Sequence, residues 1–215
     1  MNHARFCLVA ALFAAVIMTT TACGGERPTA SQPAATGNDW VDLFDGETLN
    51  GWHAEGGAVW TVEDGMIIGK QGEDYAPGDL FTDGEYADFE LEVEYRAVWP
   101  ANSGIWFRYT DDHHAYQADI LEWPDPAAYS GTIYAPGKMF IAINEDPSIE
   151  DRDGWNTMVV QAVGEHLNVK LNGVQTAHAH DSDHANGRIG IQIHPGEEFG
   201  TMEIHIRKAR IRVID

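Results

Sequence analysis

The sequence predicts an all-β domain, an antiparallel β-sandwich or jelly roll. Apolar and polar residues alternate with a period of two in most windows after Val41. Turn signals recur at short spacing, and no window holds a long helical period. Residues 59–63 and 66–70 flank Asp64-Gly65, a pair suited to a two-residue primed turn. In residues 89–97, Phe89, Leu91, Val93, Tyr95 and Ala97 alternate with Glu90, Glu92, Glu94 and Arg96. Residues 155–163 and 167–171, followed by Asn172-Gly173, form another hairpin pattern. Ile189, Ile191 and Ile193 point inward, with Gly190, Gln192 and His194 outward, and Met202, Ile204 and Ile206 repeat the alternation near the end. Residues 135–154 interrupt the pattern. They are expected to carry a short helix around residues 138–143, either as a cover over a site or as a surface excursion.

The amino terminus reads as a targeting segment. His3 and Arg5 precede an unbroken apolar run at residues 6–18, long enough for a signal-peptide core and too short to span a bilayer. Thr20-Thr21-Ala22-Cys23-Gly24 resembles the lipobox of bacterial lipoproteins, with Thr20 where leucine is usual. Residues 1–22 are therefore expected to be a signal peptide, Cys23 the lipidated residue, 23–38 a flexible tether and 39–215 the domain. The protein is then anchored in a bacterial cell envelope, or secreted if Cys23 carries no lipid. Cys7 lies in the signal, so no disulfide supports the domain, and a hydrophobic core must. Setting aside Arg5, Arg27 and Glu26 leaves 11 basic and 33 acidic side chains, a net of −22. That sign argues against nucleic-acid binding and against anionic lipid surfaces, so membrane contact is expected only through the lipid.

The chemistry concentrates in residues 103–124, two strand-like runs joined by a polar turn. Ile105, Phe107 and Tyr109 are expected on one face, with Trp106 and Arg108 on the other; Ala118 and Ile120 oppose Gln117 and Asp119. If the apolar faces of this pair and of residues 187–194 meet in one core, Trp106, Arg108, Gln117, Asp119, Gln192 and His194 share an outer surface. Indoles stack on sugar rings, and amides, carboxylates and guanidinium groups bond hydroxyls, which points to a carbohydrate ligand. Glu90, Glu92 and Glu94 have the spacing of a glycosidase pair, and equally of a charged solvent face. The run Gln117 to Glu122 is similar to the E-x-D-x-x-E run of concanavalin-like glucanases, but Gln117 cannot be a carboxylate nucleophile. His178, His180 and His184 are rich in ligand atoms yet match no zinc-site spacing; they and His113-His114 are read as exposed polar loops. No cofactor motif is present. A divalent metal stays open, since loop calcium ligands leave little spacing signature.

Leu43-Phe44-Asp45-Gly46, Leu49-Asn50-Gly51-Trp52 and residues 60–65 resemble the opening of the 3-keto-disaccharide hydrolase domain family. The likeness continues through 88–91, 102–108, 116–122, 131–134, Trp155-Asn156, 171–173, 187–194 and 207–211. It implies a concanavalin-like jelly roll acting on glycosides oxidised at C3. A C3 ketone acidifies the C2 proton, so a base can expel the C1 substituent by elimination and water can then add. The resemblance implies His194 as general base or acid and Arg108 as the cation for the enolate. Asp119 and Glu122 are candidates for the second proton-transfer group, with Trp106, Gln117, Tyr134 and Gln192 binding substrate. Members often have Glu, Gln and Asp where this chain has Gln117, Asp119 and Glu122. The alternative is a non-catalytic carbohydrate-binding module using the same face; a conventional glucanase is a third reading.

Overall fold

The computed structural model describes residues 39–111 and 114–214; the apolar amino-terminal run, Cys23, the tether and His113 lie outside them. Among the described residues there are sixteen strands. They are β1 (Val41–Asp42), β2 (Trp52–Gly56), β3 (Val59–Glu63), β4 (Met66–Lys70), β5 (Gly78–Tyr86), β6 (Phe89–Ala97), β7 (Asn102–Asp111) and β8 (His114–Pro124). The second half contributes β9 (Ala127–Tyr129), β10 (Ile133–Ala135), β11 (Met139–Ala142), β12 (Asn156–Val163), β13 (His166–Leu171), β14 (Val174–His180), β15 (Gly187–Ile193) and β16 (Glu203–Val213). The expected primed turns are present: φ is positive at both Asp64 and Gly65 and at both Asn172 and Gly173.

Two antiparallel sheets form. One runs β14-β13-β12-β6-β16-β4-β3 with β1 on β16; the other runs β11-β10-β8-β7-β15-β5-β2 with β9 on β8. The alternation fixes which side chains face inward. Phe89, Leu91, Val93 and Tyr95 of β6, Val160 of β12 and Ile204 and Ile206 of β16 meet Ile105, Phe107, Ile120, Ile189, Ile191 and Ile193 of the second sheet in one core. Each such side chain contributes about 1.5–3 kcal/mol by leaving water. The fold is the predicted all-β jelly roll.

On the outer face of the first sheet, Glu90, Glu92 and Glu94 lie opposite Arg212, Arg210 and Lys208 of β16. Glu90 pairs with Arg212 at 3.0 Å and Glu92 with Arg210 at 2.9 Å and Lys208 at 3.0 Å. The glutamate run is thus one side of a cross-strand ion ladder, not a catalytic pair.

Three expectations need correction. Residues 138–143 are not helical: a turn with positive φ at Gly137 and Met139 folds the chain back so that β11 pairs with β10. A helix that short leaves most of its backbone groups unpaired, whereas a strand joins an existing ladder. His178 and His180 lie on β14 rather than in a loop, although both are exposed.

The third correction concerns Arg108. Its φ is +50°, and the pairing of β7 with both neighbours shifts register there. Arg188 faces Tyr109 and Gly190 faces Trp106, so three steps along β7 oppose two along β15. This bulge reverses the alternation beyond it. Tyr109 therefore joins Trp106, Phe81 and Ala115 in a small outer cluster. Arg108 leaves the outer face and is 1% exposed. Its guanidinium donates to the Ala87, Gly164 and His184 carbonyls at 2.9, 2.8 and 3.0 Å and to Asp88 at 3.0 Å. It ties together three loops at one end of the sandwich. Replacing Arg108 with Ala leaves several buried carbonyls unpaired and is expected to cost about 3–5 kcal/mol in urea unfolding. Unchanged stability would contradict this role.

Candidate active site

The outer face of the second sheet carries a cavity of about 250 Å³. Cross-strand pairing decides what enters it. Gly190, Trp106, Gln117, Tyr134 and Phe140 form one row across β15, β7, β8, β10 and β11. Gln192, Gly104 and Asp119 form the next. His194 continues β15 beside Asn102, whose carbonyl accepts from the His194 amide at 3.3 Å, and Asn102 faces Leu121. Trp123 and Met139 complete the lining.

Two glycines make room for neighbouring side chains to lie across the strands. A Cβ at Gly104 would lie 2.6 Å from Gln117 Cδ, and one at Gly190 would lie 2.4 Å from the Phe81 ring. The bare backbone at 104 lets the Gln117 side chain cross β7, where its Nε2 donates to Gln192 Oε1 at 3.0 Å. Trp106 Nε1 donates to Asp79 Oδ1 at 2.8 Å, which fixes the indole. Its ring meets Tyr134 edge-on at 6.3 Å, and Tyr134 meets Phe140 at 6.4 Å. Phe140 meets Trp123 at 6.1 Å, so four aromatic rings in succession wall one side.

Asp119 lies between these walls and is 1% exposed. Its Oδ2 is buried with no hydrogen-bond partner. Burial holds the carboxyl well above the usual carboxylate range, which favours its protonated form. Burial, and then the nearby Asp119, raise the Tyr134 hydroxyl as well. His194 Nδ1 lies 2.7 Å from the Pro195 carbonyl. A carbonyl only accepts, so Nδ1 donates, and in the neutral ring Nε2 holds the lone pair. The site thus combines a buried carboxyl, a phenol, an imidazole, amides and an aromatic wall. No Lys or Arg lines it among the described residues, and no group of three metal-ligating side chains forms in it.

Six of the sequence-predicted residues come together here: Trp106, Gln117, Asp119, Tyr134, Gln192 and His194. Arg108 and Glu122 do not. Glu122 is three residues from Asp119 and so points to the other side of the strand, where its half-exposed carboxylate binds Arg152 at 2.8 Å. Asn102, Leu121, Trp123, Met139 and Phe140 were not anticipated. Leu121 and Trp123 continue the period of Gln117 and Asp119, and Asn102 that of Trp106. Met139 and Phe140 sit on the strand expected to be helical.

Residues 39–212 match the family described as the 3-keto-alpha-glucoside-1,2-lyase-like domain. The chain belongs to that family. A relative from Bacteroides thetaiotaomicron named 3-keto-disaccharide hydrolase is 36% identical over 77 residues, 32% of this chain. The match spans only 27% of that relative's length. Two solved structures share the fold of this lyase-like domain. One, provisionally named a glycosyl hydrolase, from Parabacteroides distasonis, has a TM-score of 0.65 at 21% identity, covering 82% of this chain and all of that one. The other is the carbohydrate-binding module CBM66 from Bacillus subtilis, with a TM-score of 0.55 at 17% identity, covering 75% of this chain and 95% of that one.

The buried carboxyl has a consequence for stability. Ionising Asp119 is penalised in the folded state alone. Its contribution is therefore fully present below the unfolded carboxyl pKa of about 3.9 and is lost as pH rises toward the folded value. Asp119→Asn should raise the melting temperature at pH 7.5 and change it little at pH 3.5. An equal effect at both pH values would contradict a neutral Asp119.

Proposed function

We propose that the protein cleaves 3-keto-glycosides by elimination across C1–C2 followed by addition of water. The observation that carries this reading is Asp119: a buried carboxyl with an unpartnered oxygen, its pKa raised by burial, in the pocket with Tyr134 and His194. His194 Nε2 takes the C2 proton. The electron pair moves toward C2–C3, and the developing charge on the C3 oxygen is met by hydrogen bonds from the Asp119 carboxyl and the Tyr134 hydroxyl. A carboxylic acid kept protonated by an apolar site is suited to that task. The enolate then re-forms its ketone as the C1–O bond breaks, leaving a C1=C2 double bond. The proton on His194 passes to the departing alkoxide. Water adds at C1 and a proton at C2, so the net reaction consumes one water and yields a 3-keto sugar and an alcohol.

Asp119 and Tyr134 take the role that the resemblance implied for Arg108. Gln117, Gln192 and Asn102 supply donors and acceptors for hydroxyls, and Trp106, Tyr134 and Phe140 supply apolar contact for the ring. The scheme uses no carboxylate nucleophile, in keeping with Gln117. Incubating the purified protein with a 3-keto-glucoside should release the aglycone. His194→Gln should lower kcat about 10²–10⁴-fold, while Glu122→Ala should keep it. Full activity in His194→Gln would overturn the assignment.

The likeness to CBM66 favours a second reading, a module that holds a sugar without cleaving it. Tight binding of the 3-keto-glucoside with no aglycone released would select it. We also take residues 1–22 as an export signal and Cys23 as the lipid-bearing residue. Labelled palmitate should enter the wild type in cells and not Cys23→Ser; equal labelling of both would reject the anchor.

A further inference from the structure

The first sheet carries a second cluster of chemically capable side chains, away from the pocket. His166 of β13 and His180 of β14 are cross-strand partners, and His178 lies two residues before His180 on the same outer face. All three are exposed, and one ligand atom from each lies within 4.8 Å of the others. The rings of His166 and His180 meet edge-on at 4.3 Å, and those of His178 and His180 at 4.8 Å.

The neighbours of these rings decide which nitrogens are offered. His178 Nδ1 lies 2.7 Å from Asn168 Oδ1, an acceptor, so Nδ1 bears the proton and Nε2 the lone pair. His180 Nδ1 lies 3.6 Å from a Glu165 carboxylate oxygen, beyond hydrogen-bond distance, so its ring can offer either nitrogen. The two Nε2 atoms lie 3.0 Å apart, within hydrogen-bond distance, so His180 Nε2–H donates to the His178 lone pair when no metal is bound. A metal displaces that proton and takes both lone pairs. Partners that fix the far nitrogen of a histidine are the usual second layer of a metal site. The rings stand on two hydrogen-bonded strands, so their spacing is held by the sheet rather than by a loop.

We propose that His166, His178 and His180 form a surface site for a divalent transition metal of the zinc class. Three imidazole nitrogens suit zinc, copper, nickel or cobalt and not calcium or magnesium, whose ligands are oxygens. The fourth position faces solvent and takes water or a group from outside. Such a metal clasps β14, the edge strand of its sheet, to β13. The chain's net charge of −21 draws cations to the surface. His184 is not part of the site: its ring packs against Tyr116 at 4.9 Å and His114 at 5.6 Å.

The test is calorimetric titration of ZnCl2 into the untagged full-length protein, stripped with EDTA and desalted, at pH 7.5. The wild type should bind one equivalent. His178→Ala, His180→Ala and His166→Ala should each weaken that binding at least tenfold. Asn168→Ala should weaken it about tenfold, and His184→Ala should leave it unchanged. Co2+ in place of zinc should give visible d–d bands in the wild type that vanish in His178→Ala. Melting curves in EDTA establish that each variant is folded, since the three rings are exposed. No zinc uptake by the wild type, or uptake by the three alanine variants equal to it, overturns the proposal.

Discussion

A carboxyl group enclosed by apolar walls keeps its proton unless something pays for the charge, and nothing on Oδ2 of Asp119 does. That constraint organises the pocket. The burial of Asp119 arises because β10 and β11 raise aromatic walls beside β8, and because Gly104 gives room for the Gln117 side chain to lie across β7 beside it. An ionised Asp119 would repel electron density arriving on a neighbouring oxygen. A neutral one donates to it. The same burial that makes Asp119 useful also makes it costly, as is common where a fold holds reactive groups.

Much of the fold was legible from alternation alone. Phe89 to Ala97 could only be a strand with one face buried, and Asp64-Gly65 and Asn172-Gly173 could only be tight turns. The same rule placed Gln117, Asp119, Gln192 and His194 on one face, because each interval within a strand is two. Applied consistently it also separates Glu122 from Asp119, which are an odd number apart. Arg108 was not legible. The bulge that turns it inward is fixed by carbonyls at 87, 164 and 184, all distant in sequence. Nor was β11, whose four residues carry too little period to distinguish strand from helix. With β11 unseen, Phe140 and Met139 were unseen too, and so was the depth to which Asp119 is buried.

The two sheets use polar residues differently. On the first, Glu90, Glu92 and Glu94 alternate with core residues and find arginines and a lysine across the strand pair, which yields a solvated ion ladder worth little individually. On the second, polar residues of the same period face a walled cavity, where Gln117 and Asp119 are buried and Gln192 and His194 half-buried. Composition does not separate these cases; what stands over the face does. The histidines of β13 and β14 are a third case, exposed like the ladder but converging like the pocket, because cross-strand pairing sets His166 beside His180 and His178 lies one step along the same face.

The central claim is that the reaction passes through loss of the C2 proton, with a neutral Asp119 receiving the charge. The most direct measurement follows a 3-keto-glucoside carrying deuterium at C2, with an enzyme-free control for spontaneous exchange. Elimination and readdition predict that the 3-keto sugar released in ordinary water has lost the label at C2, and that cleavage shows a primary isotope effect whenever proton removal limits the rate. Release of the aglycone with the deuterium retained at C2 would contradict the account and point to direct displacement at C1.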